Sequence, residues 1–260
     1  MFQHLELKLQ DSIAFLNLNR PEALNALNNQ LLNELIEAAD YLNQQRQIRV
    51  VIIRGKGRNF SAGADLQEYL TFSPSEGEWM ERREVGHLGF RMCEAIENLK
   101  AISIAQVHGF AVGGGCLLMM ACDFRMVQEG CFFSIPEVDL GIPLAWGGIP
   151  KLLAEIGPLK TKELVMTCRR FDAKEALGLG LINQVLSKDK WERETRELAK
   201  SLAEKPALPM KITKDQIRLG EKQMANAYMG NLDGDLLMSV LKDPESRAAT
   251  EAYLKKMKGQ

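Results

Sequence analysis

Residues 108–123 read HGFAVGGGCLLMMACD, three adjacent glycines followed by a run that carries no charge until Asp123 closes it. The stretch ISIAQV at residues 102–107 precedes it and reads as a buried strand. Strand, glycine turn and apolar run in that order predict a helix opening over residues 113–120 and sunk in the core. Residues 110–122 fall well short of the roughly 20 that a membrane-spanning helix needs, and the glycines count against one further. Glycine lets a backbone approach a ligand without a side chain in the way, and the free N–H groups at a helix start point toward negative charge. Glycines also serve tight turns and close helix packing, so spacing alone leaves both readings open.

A second turn of this kind, RNFSAGADL at residues 58–66, follows the strand-like RVVIIRG of residues 49–55. Upstream, residues 5–9 and 13–18 alternate as two short strands around a turn at Asp11-Ser12 and predict a hairpin. Asn28 reads as an N-cap, and Leu31, Leu35, Ala38 and Leu42 share one face of the helix that follows. Strand signals return at residues 124–127, 131–133 and 181–186. From Gly147 onward helical periodicity dominates, through residues 191–204, 209–218 and a long run over 221–241. The fold class is therefore α/β, with residues 1–189 as a mixed core and 190–260 as a helical C-terminal region.

The chain has 260 residues, 46% hydrophobic and 26% charged, which suits a soluble globular protein with a large core. A net charge of -1 gives no electrostatic reason to expect nucleic acid or an anionic membrane as a partner. The first residues, MFQHLELKLQ, lack the basic start and apolar core of an export signal. Five cysteines, several in apolar surroundings, fit reduced thiols and a cytoplasmic location. His4, His87 and His108 are scattered and no Cys-His pair has ligand spacing, so no metal site is expected. Neither glycine turn matches a nucleotide phosphate loop.

Four stretches taken together, NRPEALNAL (residues 19–27), FSAGADL (60–66), HGFAVGGGC (108–116) and PEVDLGIP (136–143), resemble the enoyl-CoA hydratase/isomerase superfamily, the crotonases. The resemblance runs from residue 19 to about 186, and DPESRAATEAYLKK (243–256) is similar to the family's closing helix. It implies a spiral of ββα units with a C-terminal helical trimerisation region, assembled as a homotrimer or hexamer. It also implies an acyl-CoA thioester as substrate, with no cofactor beyond the CoA of that substrate. The enolate oxygen of the thioester would be held by the backbone N–H groups of Ala64, just after Gly63, and of Gly114, the middle glycine of the triplet that Gly113 opens. Ala62 falls on the segment that contacts the adenine of CoA. Trp146, beside Gly147-Gly148, reads either as a wall of the acyl pocket or as packing.

Hydratases of this family use two glutamates. Here the second falls on Glu137, while the first position is Leu117. Adding water across a double bond asks for a base and an acid, whereas one carboxylate can take a proton from C2 and return it to C4. The expected activity is therefore a double-bond shift in an enoyl-CoA with Glu137 as proton shuttle. Hydration of 2-enoyl-CoA is the alternative, with Glu68 or a water replacing the missing acid, and a weakly catalytic acyl-binding protein the third reading. Asp65 and Asp123 read as structural, Asp139 as facing away, and Ala145 stands where some family isomerases add an aspartate. Glu22 and Gln67 stand where many relatives carry lysines for CoA phosphates. That leaves Arg20, Lys56, Arg58, Lys255 and Lys256 as candidate cations, and an acyl carrier protein as an alternative carrier. Residues 76–87 coincide with the family's variable cover over the acyl tail, and their charges read as a solvated face. Met119, Met120 and Met126 read as core.

Overall fold

The computed structural model describes residues 2–71, 79–225, 232–240 and 242–257. Residues 76–78 of the expected cover segment, and 226–231 and 241 of the expected run 221–241, lie outside them.

β1 (Leu5–Gln10) and β2 (Ile13–Leu18) form the antiparallel hairpin, with Leu7 opposite Leu16 and Asp11 turning the chain at a φ of 53°. β3 (Val50–Gly55), β4 (Ile102–Val107), β6 (Phe124–Gln128) and β9 (Gln184–Leu186) then add in parallel, giving the order β1-β2-β3-β4-β6-β9. A second sheet is smaller: β5 (Phe110–Val112), β7 (Phe132–Ser134) and β8 (Phe171–Asp172). Parallel strands covered on both faces read as continuous apolar runs, as VVII does; in ISIA the one polar residue, Ser103, is buried and its hydroxyl donates to Asp123.

The two faces are nonetheless distinct. Val51, Ile53 and Ala105 belong to the main core, while Val50, Ile52, Ile102 and Ile104 belong to a second cluster on the opposite face. The main core takes in the buried stripe of α1 (Asn29–Gln44), α3 (Trp79–Glu97) and all of α4 (Gly114–Met120) except its glycines. Asn28 caps α1 by accepting the Leu31 N–H at 3.0 Å. The second cluster is covered by α7 (Lys188–Ala203): Trp191 is buried there and its Nε1 donates to the Met126 carbonyl at 3.0 Å. A division at residue 190 would cut α7, which belongs to the sheet's second layer.

Among the described residues the remaining α-helices are α2 (Leu66–Thr71), α5 (Gly148–Thr167), α6 (Ala173–Gly178), α8 (Ala207–Ala225), α9 (Asp233–Val240) and α10 (Pro244–Met257). α5 breaks at Gly157, whose φ of 73° suits glycine and whose successor is Pro158. α8 runs continuously through the expected gap between residues 218 and 221, and accommodates Pro209 in its first turn, where a missing N–H costs nothing. The expected strand 181–186 is shorter, because Leu181 and Ile182 turn into the core before pairing begins at Gln184.

Candidate active site

The opening stretch and the earlier glycine turn lie side by side. The Phe60 N–H donates to the His108 carbonyl at 2.9 Å, the Ser61 N–H to that of Phe110 at 3.3 Å, and the Val112 N–H to that of Ser61 at 3.1 Å. The NRPEALNAL turn brackets them. Asn25 is fully buried at a φ of 53°, and its amide donates to the carbonyls of Lys56 at 2.8 Å and Asn59 at 3.0 Å. The Ser61 hydroxyl donates to the Asn25 carbonyl at 2.8 Å and accepts the Gly63 N–H at 3.2 Å. The Ala62 N–H donates to the Leu24 carbonyl at 3.0 Å. A third segment joins through Gly113, whose N–H donates to Ser134 at 2.9 Å and so brings Glu137 against the glycine triplet.

Two glycines are required by contact and by conformation. Gly63 has a φ of 88°, and a Cβ there would stand 2.5 Å from the Val112 oxygen and 3.3 Å from the Gly114 nitrogen. Gly113 has a φ of 49°, and a Cβ there would stand 2.5 Å from Oε1 of Glu137. The neighbouring amides of Ala62, Gly63, Asp65 and Gly113 all donate within the protein. Those of Ala64 and Gly114 donate to no group among the described residues. The Gly114 amide opens α4, whose side chains are all buried, so the donor is anchored in the core.

Glu137 keeps partial exposure as a residue, yet its Oε2 is buried and has no hydrogen-bond partner. It sits in a turn rather than in a helix N-terminus. Burial disfavours its charged form and pushes the carboxyl up to about 7. Leu117, one turn along α4, is 3% exposed and lies in the core. The other acids have structural partners. Glu68 accepts the Asn29 N–H at 2.8 Å, which ties it to the start of α1. Asp65 pairs with Arg20 at 2.9 Å and accepts the Gln67 N–H. Asp123 accepts from Ser103 and from Lys214 at 2.7 Å, and Asp139 is exposed.

Trp146 adopts a left-handed φ of 59°, and its ring lies against Gly114 and Gly89. Asp233 of α9 holds the next residue by accepting the Gly147 N–H at 2.7 Å, and burial pushes its carboxyl up. Neither Asn25 nor Asp233 stood out in the sequence. Asn25 had a local signal, an asparagine in a turn that needs a left-handed residue, while Asp233 is 86 residues from its partner in the chain.

Of the expected phosphate-binding cations, Arg20 is engaged by Asp65 and Lys56 pairs with Glu6 at 3.1 Å. Arg58, Lys255 and Lys256 are exposed. His108 lies against Trp191 and its Nε2 is 3.0 Å from the Gly57 carbonyl, while His4 meets Asn28. Among the described residues no cluster of three metal-ligating side chains occurs, and no helix is long and apolar enough to cross a membrane.

The sequence matches the family model of enoyl-CoA hydratase/isomerase over residues 8–260. The chain belongs to the enoyl-CoA hydratase/isomerase family. This member of the family is 33% identical to the crotonyl-CoA hydratase of Syntrophomonas wolfei over 99% of its own length and 97% of the relative's. It is 34% identical to the short-chain-enoyl-CoA hydratase of Clostridium acetobutylicum, over 82% and 80% of the two chains. Among solved structures, the enoyl-CoA hydratase of Bacillus halodurans superposes with a TM-score of 0.88 at 25% identity, covering 96% of this chain and all of that one. The spiral fold expected from the four motifs is the fold of these enzymes, C-terminal helices included. The protein is an enzyme of this family.

Proposed function

We propose that this enzyme binds an enoyl-CoA between residues 61–64 and 112–114 and stabilises its thioester enolate on the N–H groups of Ala64 and Gly114. The observation that carries the reading is Glu137: a carboxyl whose Oε2 is buried without a partner, packed over Gly113 beside an amide that has no internal acceptor among the described residues. Two pre-aimed donors lower an enolate barrier by several kcal/mol, since losing one typically costs about 3 kcal/mol. A carboxyl near neutrality serves both directions of proton transfer at physiological pH.

With this one carboxylate the balanced step is a double-bond shift. Glu137 takes a proton from C2 of a 3-enoyl-CoA, the electrons pass to the thioester oxygen, and the same proton returns to C4 to leave the conjugated 2-enoyl-CoA. Leu117 favours this outcome, because an apolar side chain cannot activate water.

The relatives' names support the alternative better: those quoted are hydratases. Water addition to 2-enoyl-CoA would use the same amides and Glu137, with water taking part of the role of the missing acid. Incubation with 3-enoyl-CoA and, separately, 2-enoyl-CoA decides between them by the gain or loss of conjugated-thioester absorbance. Isomerisation without hydration upholds the first reading, hydration without isomerisation the second, and neither overturns both.

The reading includes CoA as part of the substrate, with an acyl carrier protein as the other carrier of the same pantetheine arm. It includes a homotrimer or hexamer in the cytoplasm, and α8 supports association by leaving Leu208, Ile217 and Leu219 more than half exposed. Light scattering at micromolar concentration tests it.

A further inference from the structure

A cavity of about 100 Å³ reaches the surroundings of the glycine turn through Leu117, Trp146 and Gly147, which are part of its lining. Phe90, Cys93, Leu117 and Pro150 supply apolar walls, and charged side chains, the Lys151–Glu97 ion pair and Glu155, Arg218 and Glu221 among them, also line it. Neither Glu137 nor the amides of Ala64 and Gly114 belong to that lining, whereas Trp146 does. Trp146 also meets the first residue of α4: a Cβ on Gly114 would stand 2.3 Å from its Cζ3. On another side the ring is seated in α3, where a Cβ on Gly89 would stand 1.9 Å from Cε2. The ring is thus a partition with the glycine turn on one side and the cavity on the other. Two glycines make room for it, and its own backbone is held left-handed, a conformation that bulky residues avoid unless their surroundings impose it. Asp233 fixes the turn from behind through the Gly147 N–H.

We propose that Trp146 is the specificity-determining end wall of the acyl site, restricting the enzyme to short acyl chains and closing off a cavity that longer chains would otherwise enter. The inference rests on the enoyl-CoA reading of the site. A thioester oxygen on the Gly114 N–H places the acyl carbons against the ring, and the next few methylenes meet its face.

The test uses saturated acyl-CoAs from butyryl to dodecanoyl, which bind without reacting, titrated calorimetrically into wild type, Trp146→Gly and Trp146→Phe. Trp146→Gly removes the ring and at the same time suits the left-handed backbone, and Trp146→Phe keeps a smaller wall if the first variant fails to fold. For wild type, affinity stops rising at about six carbons. For Trp146→Gly it keeps rising, by about fourfold for each methylene buried, so that decanoyl-CoA binds at least tenfold tighter than to wild type. Trp146→Phe falls between. A folded variant with the wild-type length profile overturns the proposal, as does a wild type whose affinity climbs steadily to dodecanoyl. Failure of wild type to bind any acyl-CoA overturns the enoyl-CoA reading itself, and the two failures are thereby told apart.

Discussion

Replacing Glu137 by glutamine should make the enzyme inactive and, above neutral pH, more stable. The carboxyl is pushed from an ordinary 4.5 up to about 7 by burial, so the folded state holds its proton more tightly than the unfolded state does. As pH rises from 4.5 to 7 the unfolded chain gives up this proton first, and folding loses stability until both states are ionised. Between pH 5 and pH 8 the two pKa values imply a loss of about 2.5 kcal/mol from this one group. Glutamine does not titrate, so the stability difference between Glu137→Gln and wild type should grow by about that amount over the same interval. Urea unfolding of both proteins at half-unit pH steps measures it. Activity supplies the second arm: kcat/KM of wild type should rise with pH through a single ionisation near 7, as the base form appears, and Glu137→Gln should lose at least about a thousandfold. A stability difference that stays level from pH 5 to 8, or a rate that is flat there, would refute the argument that burial has tuned this carboxyl for proton transfer.

Leu117→Glu puts a second carboxyl one helical turn behind the Gly114 amide; hydration of 2-enoyl-CoA should appear or rise at least tenfold, at the cost of a lower melting temperature, both read directly from absorbance and calorimetry. Gly113→Ala drives a methyl to within 2.5 Å of Oε1 of Glu137 in a left-handed turn, so turnover should fall a hundredfold or more while acyl-CoA binding changes far less. Asn25→Ala leaves the Lys56 and Asn59 carbonyls without their donor in a fully buried site and should cost about 2–4 kcal/mol in urea unfolding, with activity lost as the bracket around Ser61 loosens.

The parts of this enzyme that follow from neighbouring residues were legible before any coordinates. The hairpin about Asp11, the Asn28 cap, the apolar stripe of α1 and the buried strands β3 and β4 rest on alternation, capping and helical periodicity, which act over a few residues. The extent of α8 is not legible in the sequence because a proline and a glycine look like punctuation, whereas a proline in a first turn gives up no bond and the glycine lies within an otherwise helical run.

By itself the sequence determined that two glycine turns follow two buried strands, that one carboxylate accompanies them and that leucine stands at residue 117. Only the tertiary structure decided what those features do together. It set Ser61 beside Val112, hung Glu137 over Gly113, spent Glu68 on the start of α1 and fixed the Trp146 turn with an aspartate 86 residues away. Hydrogen bonds across such separations depend on how layers close over the sheet, and burial then moved the carboxyl of Glu137 toward neutrality. Neither effect is written in the spacing of the residues concerned.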